Sequence, residues 1–184
     1  MTPELDRDRV LAALARVSDR LAEAGIKGEV CLLGGTAMVL AFRARASTKD
    51  VDAIFQPARI VREAARQVAE EMNLPEHWLN DGAKGFVSAR HDVVSGDLPQ
   101  FEHLRLTAPT AEYMLAMKCL AARLAGGAGE KGDEEDIRFL VRRLGLGSAA
   151  QALDIVTRYY PADRIPARTQ YVLDDIFADL GGAP

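Results

Sequence analysis

The chain has 184 residues, a length that fits one domain or one domain with a small appendage. With 48% apolar and 27% charged residues it can build an ordinary globular core. Its net charge of −4 provides no overall positive field for nucleic acid or an anionic membrane, so a polyanionic partner would require locally clustered basic residues.

The cysteines and the apolar segments indicate in which cellular compartment the protein is expected. Cys31 and Cys119 both lie in apolar stretches, which favours reduced core thiols over a disulfide framework. The sequence does not start with a basic region followed by an apolar segment, and its longest apolar run, 30–42, is too short and glycine-broken to span a bilayer. We therefore expect a cytoplasmic protein without a membrane-spanning segment.

The first elements alternate between helices and short strands. Apolar residues spaced for a helix predict a first helix from Thr2-Pro3 to Gly25. A short buried strand at 30–33, a Gly34-Gly35 turn and a helix at 36–42 follow. A helix that begins directly after glycines presents unpaired N–H groups, which suits phosphate, although most Gly-Gly pairs only make turns. The segment is neither a P-loop nor a dinucleotide-binding fingerprint.

The next predicted strand, 51–55, carries two acidic residues. Because side chains alternate faces along a strand, Asp50 and Asp52 leave the same side, opposite Val51 and Ala53. Two like charges on one face of an apolar strand are costly unless a cation lies between them. Ligand sets made only of oxygen suit Mg²⁺, which uses one or two carboxylates together with substrate phosphates. The pair therefore predicts a magnesium site.

A strong apolar stripe predicts a helix at 57–72, and Trp78 is expected in the core within a single turn at 76–80. Short strands are predicted at 84–90 and 101–106, on either side of a turn-rich segment. The remaining predicted elements are helices at 109–124, from 133 onward, at 148–160 and at 166–180.

These elements predict an α/β fold of the α+β kind. Residues 1–106 would form a core with a small mixed sheet and helices, and residues 107–184 would form a helical C-terminal part packed on that core as a cap. A ligand is expected in the cleft between the two parts.

Three charged residues of the helical part are further candidates. Lys118 lies among apolar residues of its helix, so it either pairs with a buried anion or extends its stem to solvent, and the pattern leaves both open. Asp133 and Asp136 are three residues apart and share a helix face, although acidic residues near a helix start also simply complement the helix dipole.

Together these segments resemble the nucleotidyltransferase superfamily with the polymerase-β-like fold. That family holds a metal–nucleoside triphosphate with a GG or GS turn and a D-x-D strand, similar to Gly34-Gly35 and Asp50-Val51-Asp52. The resemblance is closest to the small bacterial branch of AbiEii and MenT-type toxins from toxin–antitoxin pairs, which also carry a helix lysine and a K-D-x-x-D-[IL] element. It covers residues 30–55 and, less closely, 109–141.

The resemblance implies a Mg²⁺-dependent enzyme that transfers an NMP from an NTP to an acceptor hydroxyl. Two Mg²⁺ ions about 4 Å apart would be held by Asp50 and Asp52. Lys118 would contact the triphosphate, and Asp133 or Asp136 would accept the hydroxyl proton, orient Lys118 or cap the helix. The implied nucleotide-binding residues are Gly34, Gly35, Thr36, Arg45 and Thr48. Among them, Arg45 would clamp phosphate with a bidentate contact, and Thr48 would chiefly fix its loop.

Many members of the family carry a third carboxylate on a later strand. The candidates here, none of which lies in a plainly alternating apolar strand, are Asp92, Asp97 and Glu102. If none of them serves, the role of base falls to the C-terminal aspartates or to no residue.

The resemblance to the toxin branch implies an RNA acceptor such as a tRNA 3′ end, and an antitoxin protein as partner. The acidic composition argues against RNA, but several arginines could form a local basic stripe. They are Arg138, Arg142, Arg143, Arg158, Arg164 and Arg168. Two alternatives stay open: transfer to a small hydroxylated molecule, as in antibiotic adenylyltransferases, and a nucleotide-binding or interaction module without catalysis.

Overall fold

The computed structural model describes residues 4–122 and 130–181, without the side chains of 130 and 131. As predicted, the fold is α+β: the described residues form seven α-helices, a five-stranded mixed sheet and a two-stranded sheet. The chain divides into two compact units, one of residues 1–85 and 93–109 and one of residues 86–92 and 110–184.

The first unit contains both sheets. Its elements are β1 (Leu5–Asp6), α1 (Arg7–Glu23), β2 (Gly28–Leu32), α2 (Gly34–Leu40), β3 (Ser47–Thr48), β4 (Val51–Gln56), α3 (Ala58–Met72), β5 (Leu79–Asn80), β6 (Val93–Val94) and β7 (Leu104–Pro109). The larger sheet has the order β5-β4-β2-β7-β6, in which β2 runs antiparallel to β4 and parallel to β7. The small sheet pairs β1 with β3 and so ties the loop before β4 to the start of the chain.

The strands and helices of this unit form where apolar residues can be buried. Along β4 the buried residues Val51, Ala53 and Phe55 alternate with half-buried or exposed ones, which is the pattern of a strand with one covered face. α1 and α3 pack together through their apolar stripes, and Glu71 of α3 joins them by ion pairs to two arginines of α1. The guanidinium of Arg20, whose Nε lies 2.8 Å from Oε1 of Glu71, is the main reason why the pKa of Glu71 lies below its usual value.

Several predicted boundaries were wrong. α1 begins at Arg7 because Asp6 is its N-cap and accepts the Arg9 N–H at 2.8 Å, while Thr2 and Pro3 lie outside the described residues. The predicted strand at 84–90 is not a strand: Gly82–Phe86 is a 3-10 helix, and the N–H of Ser88 donates to a tyrosine hydroxyl instead of a strand.

Two further elements also differ from prediction. Phe101 and Leu104 exchange backbone hydrogen bonds in a turn, so β7 begins at Leu104 and continues to Pro109. Residues 79 and 80, predicted in a turn, instead pair with β4 as a parallel edge strand, β5.

The second unit is helical. It consists of α4 (Ala111–Ala121), α5 (Glu130–Arg143), α6 (Ala149–Tyr159), α7 (Arg168–Gly181) and the segment Phe86–Asp92. α4 is its central element, because residues 113–120 are all buried and α5, α6 and α7 all pack against it. Burial raises the pKa of the Cys119 thiol on α4 to about 12, so that thiol stays protonated and unreactive at neutral pH.

Polar contacts hold the segment Phe86–Asp92 against α4 and α6. Tyr113 and Tyr159 stack with ring centroids 4.9 Å apart, and Ser88 donates its N–H to the Tyr113 hydroxyl at 2.9 Å and its hydroxyl to the Tyr159 carbonyl at 2.5 Å. The Tyr159 hydroxyl and Arg90 donate to Asp92 and keep the pKa of that carboxyl below its usual value.

None of the helices in the described ranges combines the length and the apolar character needed to cross a membrane.

We expect Tyr113→Phe to lower the free energy of unfolding by about 1–3 kcal/mol, because it leaves the buried N–H of Ser88 without its acceptor. The matched control is Tyr171→Phe, since Tyr171 is 63% exposed, and we expect a change within about 0.5 kcal/mol. Urea denaturation measures both values. Equal values for the two variants would contradict the described contact.

Candidate functional site

Gly34 and Gly35, predicted as a turn before the helix, are instead the first two residues of α2, and the chain turns into the helix there. This glycine turn lies directly against the aspartate strand. Where β2 ends, the N–H of Leu33 donates to the backbone carbonyl of Asp52 at 2.8 Å, which places the next residue beside that aspartate. Gly34 has φ +53°, and a Cβ atom on it would lie 2.7 Å from Oδ2 of Asp52. A residue with a side chain would need a backbone conformation that such residues rarely adopt, and its Cβ would require the Asp52 carboxylate to shift.

Gly35 meets the loop before β4 in the same way. A Cβ atom on Gly35 would lie 2.7 Å from the hydroxyl oxygen of Thr48 and 3.7 Å from Nη1 of Arg45. The structure therefore brings Gly34, Gly35, Arg45, Thr48 and Asp52 close together, while their role in binding a nucleotide stays a prediction.

Two hydroxyl groups hold the backbone of Asp50. Thr36 and Thr48 are both buried, and they donate to the Asp50 carbonyl at 2.9 and 3.1 Å. Thr36, predicted to bind nucleotide, therefore has its hydroxyl committed to the backbone of the site. Thr48 fixes the loop that leads into β4, the role that the sequence favoured for it.

Both carboxylates lie near one turn after β5. Oδ2 of Asp50 accepts a hydrogen bond from Nδ2 of Asn80 at 3.1 Å, and a Cβ atom on Gly82 would lie 3.9 Å from Oδ1 of Asp52. Both aspartates are half-buried, whereas the neighbouring Val51 is fully buried on the opposite face. The predicted geometry of the pair, with Asp50 and Asp52 on one side of the strand, agrees with these contacts.

The donors around this turn suit a hard divalent cation. Among the residues that the structure describes, no group of three or more His, Cys, Asp and Glu side chains is arranged to hold a metal. Asp50 and Asp52 would supply two carboxylates, a number that matches how Mg²⁺ is bound when substrate phosphates and water complete its six ligands.

A second charged cluster lies in the helical unit. The amine of Lys118 is 2.8 Å from Oδ1 of Asp133 and 2.7 Å from Oδ2 of Asp136, and the side chains of Lys118 and Asp136 are only 8% and 2% exposed. Of the two readings that the sequence left open for Lys118, pairing with a buried anion is the one observed. The shared helix face predicted for Asp133 and Asp136 is also confirmed, since both reach the same amine.

Within the described part of the chain, none of the candidate third carboxylates completes a metal-binding group of three acids with Asp50 and Asp52. Asp92 is held by Tyr159 and Arg90 in the helical unit. Asp97 is exposed in the turn after β6, and the side chain of Glu102 is 91% exposed.

Sequence reasoning missed Asn80 and Gly82. The Asn80-Asp81-Gly82 segment is typical of a turn, and the sequence predicted only a turn and a core tryptophan there. The contact of Asn80 with Asp50 depends on the pairing of β5 with β4. A strand of two residues is too short to show an alternating pattern in the sequence, so this pairing could not be predicted.

Comparison with known proteins adds no relative. The chain matches no protein-family model, no curated protein and no solved structure. The resemblance to nucleotidyltransferases therefore stays a prediction that rests on the residues named above.

We expect Gly34→Ala to destabilise the protein more than Gly25→Ala. Both glycines have positive φ, so both changes carry a backbone cost of about 1–2 kcal/mol, but nothing lies within 4 Å of a Cβ on Gly25. The collision with Asp52 should add about 1–3 kcal/mol for Gly34 alone, measured by urea denaturation. Equal losses would show that Asp52 does not pack against Gly34.

We expect Lys118→Met to lower the free energy of unfolding by about 3–5 kcal/mol, since it leaves the buried carboxylate of Asp136 without its cation. Arg138→Met is the control on α5, because Arg138 pairs with Asp179, whose side chain is 67% exposed, and its loss should cost at most about 1 kcal/mol. Thermal and urea unfolding give both values. A small loss for Lys118→Met would mean that the amine is not buried with these acids.

Proposed function

We propose that the protein is a Mg²⁺-dependent nucleotidyltransferase that moves a nucleoside monophosphate from an NTP to an acceptor hydroxyl. The observation that supports this most is the approach of Gly34 to Asp52, where a Cβ atom on the glycine would lie 2.7 Å from Oδ2 of the carboxylate. A backbone turn beside a carboxylate pair offers N–H donors for phosphate and oxygen ligands for a metal within one small region.

In this proposal the first unit binds the metal–triphosphate. Asp50 and Asp52 hold Mg²⁺, which when bound neutralises phosphate charge and stabilises the attacking and leaving oxygens of the displacement. The N–H groups of the turn face the phosphates, since the preceding Leu33 supplies no side-chain cap for them. Arg45, whose guanidinium lies next to Gly35, adds a bidentate phosphate contact.

The two threonines have a supporting role in this scheme. Their hydroxyls both donate to the carbonyl of Asp50, so they hold the start of β4 in place. A carboxylate that binds a metal needs a fixed backbone, because a shift of a fraction of an ångström weakens the ligand geometry.

Lys118, Asp133 and Asp136 are proposed as the second group of functional residues. Because both carboxylates contact the amine of Lys118, we assign Asp136 the role of orienting that amine. Asp133 is the better acceptor for the hydroxyl proton, since its side chain is 32% exposed whereas that of Asp136 is 2% exposed.

The proposed acceptor is an RNA 3′ end such as that of tRNA, with an antitoxin as protein partner in the cytoplasm. A small hydroxylated molecule is the second candidate, and the state of the predicted basic stripe favours it. Arg138 and Arg158 are ion-paired with Asp179 and Glu112, Arg168 donates to a backbone carbonyl, and the guanidinium of Arg164 lies over the ring of Tyr160. Most of the stripe therefore already has partners.

We expect the protein to transfer label from α-labelled NTPs to total RNA in the presence of Mg²⁺, and Asp50→Asn and Asp52→Asn to lower the rate about 100-fold or more, since each removes a metal ligand. Asp8→Asn, which changes an exposed aspartate of α1, is the control and should retain the wild-type rate. Gel electrophoresis of the labelled RNA measures transfer.

The acceptor is identified in the same assay. Transfer of the label to a hydroxylated small molecule with release of pyrophosphate, and no transfer to RNA, would show that the acceptor is a small molecule. Absence of transfer to either acceptor class, or equal transfer by the Asp50→Asn variant, would refute the proposed function. Binding of the Mg²⁺–NTP complex without transfer would leave a nucleotide-binding module.

A further inference from the structure

Asn80 is the only side chain in the described hydrogen bonds that contacts a carboxylate oxygen of Asp50. Its strand, β5, runs parallel to β4 with Asn80 in register with Asp52, and its Nδ2 donates to Oδ2 of Asp50 at 3.1 Å. The contact joins two positions 30 residues apart in the chain.

The orientation of the Asn80 amide is fixed from both ends. Its Oδ1 accepts the backbone N–H of Gly82 at 2.8 Å, while its Nδ2 faces the carboxylate. A reversed amide would set two donors against each other at Gly82 and two acceptors against each other at Asp50. Asn80 can therefore act at Asp50 only as a donor.

The core fixes the position of Asn80 as well. The preceding Trp78 is 1% exposed, donates its indole N–H to the Ala65 carbonyl at 2.9 Å, and accepts the Val51 N–H on its own carbonyl at 2.6 Å. Leu79 is also buried. The strand that carries Asn80 is thus held by α3 on one side and by β4 on the other.

This arrangement has two consequences for the carboxylate pair. A carboxylate whose Oδ2 is engaged by an amide presents its other oxygen more readily, which favours a one-oxygen contact with a cation. The amide is also neutral, so Asn80 adds no third carboxylate to those of Asp50 and Asp52, as an aspartate at position 80 would. Mg²⁺ dehydrates reluctantly, so a site with few charges takes it up together with substrate phosphates.

We propose that Asn80 is a positioning residue: it holds Asp50 as a one-oxygen ligand and keeps the site short of a third carboxylate, so that Mg²⁺ is bound with the triphosphate and only weakly alone. This inference rests on the proposed function of the same site. The inference concerns the affinity of the site for Mg²⁺, alone and with a nucleotide, and this affinity can be measured without any catalytic turnover.

The experiment is titration calorimetry on the full chain and on its Asn80→Ala and Asn80→Asp variants. Each protein is titrated with Mg²⁺ alone and with Mg²⁺ plus each of the four α,β-methylene nucleoside triphosphates, which cannot transfer a nucleotide. Gln100→Ala is the matched control, because Gln100 is another amide of the same unit that bridges backbone groups of Leu98 and Leu106.

Asn80→Ala should weaken binding of the Mg²⁺–analogue about 10-fold or more, as the loss of a group that orients a metal ligand does. Asn80→Asp keeps the shape of the side chain and should strengthen binding of Mg²⁺ alone about 10-fold, with a rise in melting temperature on addition of Mg²⁺ that the wild type does not show. Gln100→Ala should lose stability without a change in either affinity.

The outcomes separate the two proposals. If the wild type binds the Mg²⁺–analogue and Asn80→Ala binds it equally well, the role of Asn80 is refuted while the proposed function stands. If Asn80→Ala is weaker but the wild type transfers no label, the transferase is refuted and the role of Asn80 stands. If neither the wild type nor Asn80→Asp binds Mg²⁺ in any form, both are refuted.

Discussion

The close contact between a glycine turn and an aspartate strand is the constraint on which the candidate site depends. The hydrogen bond from Leu33 to the carbonyl of Asp52 brings the end of β2 against β4, and a side chain on the next residue would press on the Asp52 carboxylate. Gly34 meets this demand with its positive φ and its missing Cβ. The proposed binding of phosphate and metal depends on this short distance between Gly34 and the Asp52 carboxylate.

Three separate segments converge on the neighbouring aspartate. Thr36 from α2 and Thr48 from β3 hold the carbonyl of Asp50, and Asn80 from β5 holds its carboxylate. β3 is in turn paired with β1, so the loop before β4 is fixed by the first described residues of the chain. These contacts are made within the chain itself and need no ligand, so a site held in this way would lose less entropy on binding.

The sequence predicted those parts of the site that depend on local pattern. The alternation along β4 and the glycine pair were readable because each is a property of a few consecutive residues. The environment of Lys118 was left open, because a helix pattern does not say which later segment packs against it. The role of Asn80 was not predictable, since β5 has two residues and its register with β4 is set by the burial of Trp78. The strand predicted at 84–90 was wrong because tyrosine hydroxyls, not a sheet, satisfy Ser88.

The indole of Trp78 links the middle of α3 to the edge of the sheet through the carbonyl of Ala65. A bulkier residue at position 65 would push the tryptophan and, with it, the amide that steadies Asp50, although Ala65 itself is 3% exposed and touches no ligand group. Random mutagenesis scored by activity alone would therefore mark interior positions of this helix as if they took part in chemistry. Distinguishing substitutions that disturb folding from those that remove a functional group requires that stability and activity be measured on the same variants.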